Sequence, residues 1–529
     1  MRTSRLDEEF RAVISNDKMI SDAKRAARRL ARRCTSSYQA CLDTVAEQAG
    51  RRNWSGFLAG PVEVRTPTDV ETAVARVSVA VTVEAVEAAA GDAKKAPPQS
   101  GDIVISLKSG EGIVLGMVDG RLLRSARTAV VVCAGAPGTG KTMGVVVPTM
   151  LLSDHASQLI LDTKPELLQT LLSMGGRTSS RIVSLDPLGD SSPDGVERLA
   201  FNPLHPDFRE KRDDGWGHAM SLIGALMSPH GDGFGYFEEM AVEMFAAAAI
   251  YLGHFPDQIP PNGRSYRIAS LPAIIDWLNE LQPYDDDRLS MSQKLLFAAD
   301  KCSGIAALEN ARLGFLRVRN MAGKEAAGVF GTVYQALLVV NNDAMRAYLD
   351  PVEPEDGAKL LTMLADRRRP TTAFMVSQPR YAGLSSLHAV CVDVIGNWRS
   401  RQGSRARSLQ IIIDEAARLG QSSFIRHVMR NGSPAGITVL LVEGNFNKDR
   451  HAKRWQGRVT DKIGADHVLS FSNWVSDHDL STVGELIGRD VAKDELIAGH
   501  DLHRLVERDD TRFVITPCMF PKRGGGRQV

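Results

Sequence analysis

Short apolar runs recur along the chain, rich in β-branched residues and ended by an acid, a glycine, a proline or an asparagine. They are TAVVVCAG (from Thr128), SQLILD (Ser157), RIVSLDP (Arg181), TTAFMVSQP (Thr371), LQIIIDE (Leu409), GITVLLVEG (Gly436), ADHVLSFSN (Ala465) and TRFVITP (Thr511). Runs of this length without polar alternation are the mark of strands buried on both faces. They alternate with helical segments, which predicts an α/β fold: a mostly parallel sheet with helices on both faces. Before the first run, the segment DIVISLKSGEGIVLGMVDGRLLRS reads as short strands with glycine turns.

Residues 215–365 break this rhythm. FEEMAVEMFAAAAIYLG, LPAIIDWLNELQ and EAAGVFGTVYQALLVV are rich in Ala, Met, Leu and charged residues and read as helices. The block lies between strand candidates, so an inserted all-α domain is expected at 215–365. The phosphate-loop domain is then split into 101–214 and 366–529. Residues 1–60 read as an N-terminal helical module, and 61–100 as a variable segment and linker ending in AGDAKKAPPQSGD. In DAKRAARRLARRC, Lys24, Arg28 and Arg32, and likewise Arg25, Arg29 and Arg33, recur at spacing four, opposite Ala27, Leu30 and Ala31. That is a basic amphipathic helix, suited to phosphates, acidic lipid or an acidic partner, or to a solvated face.

Composition narrows the class. With 43% hydrophobic and 24% charged residues, the 529-residue chain is a globular protein of two to three domains. A formal net charge of +1 removes any global basic field, so contact with nucleic acid must come from local patches. The run NKDRHAKRWQGR, with Lys448, Arg450, Lys453 and Arg454 around Trp455, is one such patch or a solvated basic loop. Cys34, Cys41, Cys133, Cys302, Cys391 and Cys518 form no CxxC pair, which fits a reducing compartment. No apolar run approaches the roughly 20 residues that span a bilayer. The expected location is cytoplasmic, peripheral at the bacterial inner membrane if a partner or the basic N-terminal helix holds it there.

The chemistry begins at Gly135, Ala136, Pro137, Gly138, Thr139, Gly140, Lys141 and Thr142, a full match to G-x-x-x-x-G-K-[ST] between a strand candidate and a helix candidate. Glycines let the backbone wrap phosphates with its N–H groups, Lys141 reaches the β- and γ-phosphates, and the Thr142 hydroxyl ligates Mg²⁺. Pro148 should kink or end the first turns of the following helix. The second element is SLQIIIDEAARLG, which delivers Asp414 and Glu415 to the carboxyl end of a strand, where open α/β sheets bind ligands. Asp414 would hold Mg²⁺ and Glu415 would polarise the attacking water. The third is LILDTKPEL, whose residues alone read as a strand end plus a helix cap, with Asp162 as a turn acid and Pro165 near the first helical position.

GIVLGMVDGRLL, GAPGTGKTMGVVVPTMLL, LDTKPELL, IVSLDP, FNPL and IIIDEAARLG occur in this order. Together they resemble the coupling-protein ATPases of type IV secretion and conjugation, the TraG/TraD-type family, over residues 110–520. The resemblance implies a RecA/FtsK-like P-loop core with an inserted all-α domain, ATP and Mg²⁺ as cofactors, and hexamer formation. It implies recruitment of a relaxase–DNA complex to a channel with its ATPases, and movement of single-stranded or double-stranded DNA or protein. It also places Asp162 and Lys164 around the nucleotide. Three departures stand out. The family's usual transmembrane helices are missing, so a soluble variant is expected. Arg430 stands shifted from where the family carries an arginine finger, and a helix-end cation is its other reading. Glu443, Gly444 and Asn445 stand where a strand-ending Gln is expected. Two further readings remain: an FtsK/HerA-like double-stranded DNA translocase in segregation, and a nucleotide-switched substrate adaptor with little hydrolysis.

Overall fold

The structure is a computed structural model. It describes residues 104–105, 112–118, 121–153, 155–174, 180–189, 191–208, 215–227, 235–260, 268–281, 290–376, 384–403, 406–419, 422–444, 464–471, 477–487, 490–491, 503–507 and 512–515. The chain separates into two units, Met1–Gln99 with Asp119–Arg121, and Ser100–Val118 with Leu122–Val529. The second is the one described below. The basic N-terminal helix, the linker, Asn445 and the run around Trp455 lie outside the described residues.

Thirteen strands occur among the described residues: β1 (Val104–Ile105), β2 (Val114–Val118), β3 (Arg121–Arg124), β4 (Ala129–Ala134), β5 (Ser157–Asp162), β6 (Arg181–Leu185), β7 (Glu197–Arg198), β8 (Thr371–Val376), β9 (Leu409–Ile413), β10 (Ile437–Glu443), β11 (His467–Ser470), β12 (His503–Glu507) and β13 (Arg512–Ile515). The first three form a small sheet ordered β1-β3-β2. The other ten form one sheet ordered β13-β12-β11-β4-β10-β9-β5-β8-β6-β7. Pairing is parallel from β11 through β7, and β12 and β13 add antiparallel at one edge. Every residue of β4, β5, β8, β9 and β10 is buried, as continuous apolar runs require.

The pleat splits each strand between two cores. Val130 and Val132 face one, with the helices from 216 to 365 and those after β8 and β9. Val131 and Cys133 face the other, with Val145, Val146, Met150 and Leu168. The second core therefore seats the helix that leaves the glycine loop directly on the sheet. That helix opens as a π turn, Thr142–Val146, and continues as α1 (Val147–Leu152). The cause is local. Pro148 has no N–H to give Gly144 the usual α-helical bond. The Val147 N–H instead reaches back five residues to the Thr142 carbonyl. The proline widens the turn where a kink or an end was expected.

Polar groups fix α1 against the sheet from below. Gln158 lies in register with Thr372 and Gln410 on the flanking strands. Its side-chain amide donates to Gln410 Oε1 at 2.9 Å and to the Thr149 carbonyl at 3.1 Å, and Gln410 Nε2 donates to Ser153 Oγ at 3.1 Å. Buried amides must be satisfied, so this ladder ties the end of α1 to β5 and β9.

Between β7 and β8 the described chain is helical. It includes α2 (Trp216–Met227), α3 (Tyr236–His254), α4 (Leu271–Leu281), α5 (Met291–Cys302), α6 (Glu309–Arg319), α7 (Gly323–Leu337), α8 (Asp343–Leu349) and α9 (Lys359–Ala365). The Ala-rich centre of α3, from Met244 to Leu252, is wholly buried among its neighbours, which explains why it carries no polar face. No helix among the described residues is long and apolar enough to cross a membrane. Cys133, Cys302 and Cys391 are buried free thiols.

After β8 and β9 come α10 (Leu384–Gln402) and α11 (Ser423–Asn431). Asp393 on α10 is buried and receives four hydrogen bonds from the start of α11: Ser422 Oγ at 2.5 Å, Ser423 N at 2.9 Å, Ser423 Oγ at 2.7 Å and Phe424 N at 3.0 Å. It is a helix cap delivered from another helix. Asp393→Ala strands those donors and is expected to lower stability by about 2–4 kcal/mol, read as a shift in the urea midpoint.

Candidate functional site

The loop Gly135–Thr142 leaves the carboxyl end of β4, and Asp414 follows the carboxyl end of β9. β10 lies between these two strands and runs parallel to both, so the loop and the acids share one sheet edge. Gly138 (φ 79°) and Gly140 (φ 96°) hold left-handed backbone that side chains disfavour, and nothing lies within 4 Å of where a Cβ would be at either. The loop is thus an open concavity floored by backbone. Lys141 Nζ folds over it, donating to the carbonyls of Gly135 at 2.5 Å and Ala136 at 2.9 Å. Burial pulls the Lys141 ammonium below its usual range, opposed by the nearby charges of Asp414 and Glu415. The Thr142 hydroxyl has no side-chain partner among the described residues.

Asp414 keeps part of its surface exposed, yet burial, the neighbouring Glu415 and Asp162 raise its carboxyl to about 6. Glu415 sits in left-handed backbone, φ 58° and ψ 63°, unusual for a residue with a side chain. Both its oxygens are engaged: Lys164 Nζ lies 2.5 Å from Oε1 and Arg418 Nε lies 2.6 Å from Oε2. Burial would raise its carboxyl, but Lys164 and Arg418 together hold it below the usual range. Cys133, on β4 behind the loop, is a fully buried thiol whose pKa burial pushes up, so it packs and does not react.

Asp162 and Lys164 diverge in role. Asp162 is buried and accepts the N–H groups of Glu166 (3.2 Å), Leu167 (3.0 Å) and Leu168 (3.0 Å), capping the helix Leu167–Ser173. Lys164 crosses to the acid pair. Arg430 occupies the other edge of the sheet. It is exposed in the last turn of α11, whose Met429 carbonyl accepts the Gly464 N–H just before β11 begins. The length of β9, five residues or about 16 Å, separates that edge from Asp414. Within its own chain Arg430 does not join the loop and the acids. Glu443 is buried at the end of β10, in register with Ala134, the last residue before the loop. Arg418 is a site residue that sequence reasoning missed. The signal was its place three residues after Glu415, on the same short turn.

Residues 87–350 match the family model for type IV secretory system conjugative DNA transfer. The chain belongs to this family. Among solved structures it is similar to the plasmid coupling protein TrwB in complex with a non-hydrolysable ATP analogue. The identity there is 15%, with 82% of this chain and 98% of that chain covered and a TM-score of 0.50. It is also similar to TrwB in complex with ADP and Mg²⁺ (13% identity, 81% and 98% covered, TM-score 0.49). A third is the unbound conjugative coupling protein TrwBdeltaN70 (14%, 75% and 87%, 0.47). At 15% identity the likeness to the ATP-analogue complex speaks for the fold alone, the RecA/FtsK-like P-loop fold. No curated protein sequence matches the chain.

Proposed function

We propose that this coupling protein binds ATP with Mg²⁺ at the Gly135–Thr142 loop, hydrolyses it, and uses the energy to recruit or move a relaxase–DNA or protein substrate into a conjugation channel. The observation that supports this most is the shared sheet edge: an open, glycine-built phosphate cradle faces an acid pair across one intervening strand. The residues suit both groups. Thr142 and Asp414 stand at the same sheet edge and would hold Mg²⁺ together with phosphate oxygens. Bound Mg²⁺ supplies charge neutralisation at the phosphates.

The chain's own groups do the rest. Lys141 exchanges the carbonyls of Gly135 and Ala136 for phosphate oxygens, and its partly desolvated ammonium makes that exchange favourable. Glu415 accepts a proton from the attacking water. Arg430, exposed at the opposite edge, is suited to act across a subunit boundary in a ring and not at its own site. A homo-oligomer, hexameric in the family's manner, is part of the proposal.

Asp414 sets a pH dependence. Its carboxyl titrates at about 6, so below that value a proton competes with the cation for the same oxygen. The Mg²⁺ concentration that half-saturates nucleotide binding is expected to be about tenfold higher at pH 5 than at pH 7.5. A titration with a fluorescent ATP analogue at the two pH values checks this, and an unchanged midpoint would count against Asp414 as the metal ligand.

The recruitment reading is tested by affinity capture of the full chain from its native cell. Recovery of a relaxase with DNA supports it. Recovery of chromosome- or plasmid-segregation proteins without a relaxase would favour a double-stranded DNA translocase instead.

A further inference from the structure

The water-activating carboxylate is restrained on both sides. Lys164 Nζ and Arg418 Nε each take one oxygen of Glu415, at 2.5 Å and 2.6 Å. The two cations come from different places. Arg418 sits on the same short turn as Glu415, and its backbone N–H donates to the Glu415 carbonyl at 2.8 Å. Lys164 comes from the loop after β5, the strand paired with β9. A carboxylate whose two oxygens both face cations is poorly placed to take a proton from water.

We propose that Lys164 is a releasable restraint on Glu415: it holds the carboxylate back until the terminal phosphate of a bound nucleotide draws the ammonium away, while Arg418 stays and keeps Glu415 oriented. This rests on the reading of Glu415 as the base for ATP hydrolysis. The asymmetry between the two cations supports the division of labour. Lys164 is the more exposed, at 54% against 42% for Arg418, and its side chain is a long flexible stem on a loop. Arg418 is tied to Glu415 through the backbone of a single turn and moves with it. Lys164 is near enough to Lys141 for the two ammoniums to repel, so an anion cradled by the loop lies within the field of both. A terminal phosphate competes with the carboxylate for Lys164, so a bound nucleotide lifts the restraint in part of the molecules, and removing the charge lifts it in the rest. The cleft thereby links phosphate occupancy to the freedom of the base.

The test separates cleavage from binding. Lys164→Met keeps the length and removes the charge, and Lys164→Arg keeps the charge. Single-turnover ATP cleavage and ATP affinity are measured for both, beside the parent and Glu415→Gln. An exposed ion pair can bias an equilibrium by about fivefold at most. Lys164→Met is therefore expected to cleave up to about fivefold faster, with affinity changed less than the rate, and Lys164→Arg to return to the parent rate. Faster cleavage in Lys164→Met when the parent is nearly silent would support the restraint equally. An unchanged or slower rate in Lys164→Met, with the parent active and Glu415→Gln inactive, would overturn the restraint and leave the catalytic reading standing. Nucleotide binding without cleavage in both the parent and Lys164→Met would overturn the catalytic reading and the restraint with it.

Discussion

Lys141→Ala is expected to abolish nucleotide turnover and to leave the fold in place. In the structure the ammonium holds no other element. Its hydrogen bonds run to Gly135 and Ala136 of its own loop, and Ala136 is exposed, so solvent can replace the lost donor there. The sheet, the buried glutamine ladder and the core beneath α1 do not involve it. What the substitution removes is the loop's own side-chain cation, the group that folds over the Gly135 and Ala136 carbonyls. Loss of a single preorganised donor to developing charge costs about 10²–10³-fold in rate, and the missing charge weakens ground-state binding as well. The measurement is kcat/KM for ATP beside the thermal unfolding midpoint. A drop of at least about 10²-fold with an unchanged midpoint is the expected pair of results.

Glu415→Gln is expected to separate binding from chemistry. Glutamine keeps the size of the side chain and one acceptor oxygen but cannot take a proton from water. Removing a general base costs about 10²–10⁴-fold in turnover. Nucleotide affinity should stay close to the parent's, because phosphate contacts are assigned to the loop and Mg²⁺ to Thr142 and Asp414. The neutral amide also loses the ion pairs to Lys164 and Arg418, so two cations lose their counter-charge at this edge. Tighter ATP binding by the variant is the direction this predicts. Equilibrium binding and steady-state hydrolysis on the same preparation give both numbers. Parent-level turnover by Glu415→Gln would remove it from the role of base.

How much of this was legible before the structure depends on how local each determinant is. The central strands were legible because burial on both faces forces long β-branched runs, as in Ala129–Ala134 and Ile437–Glu443. Two strands were not. β7 is only Glu197–Arg198, two exposed charged residues whose place is set by pairing with β6. β12, His503–Glu507, mixes charged and apolar residues and belongs to the antiparallel edge that the runs did not reveal. The glycine loop was legible because its backbone geometry demands a fixed residue spacing. The acid pair was legible because strand ends at one edge collect ligands. The grip of Arg418 on Glu415 was not, since it depends on the left-handed backbone at Glu415, which no residue type there announces. The helix cap at Asp162 was one reading of LILDTKPEL, but the reach of Lys164 to Glu415 was hidden. Two residues apart, one turns inward to cap a helix and the other reaches an acid on the next strand. The widened turn after Lys141 was half visible: Pro148 signalled a disturbed helix, and only the structure shows the π turn that absorbs it.

A coupling motor hydrolyses ATP in a DNA-dependent way, and the full chain is the form to measure. Steady-state ATP turnover is measured without DNA, with single-stranded DNA and with double-stranded DNA, at saturating Mg²⁺ and above pH 7. Measurable basal turnover, stimulation by DNA, and loss of both in Glu415→Gln are the expected results. ATP binding without turnover under all three conditions would contradict the motor and leave a nucleotide-switched adaptor in its place.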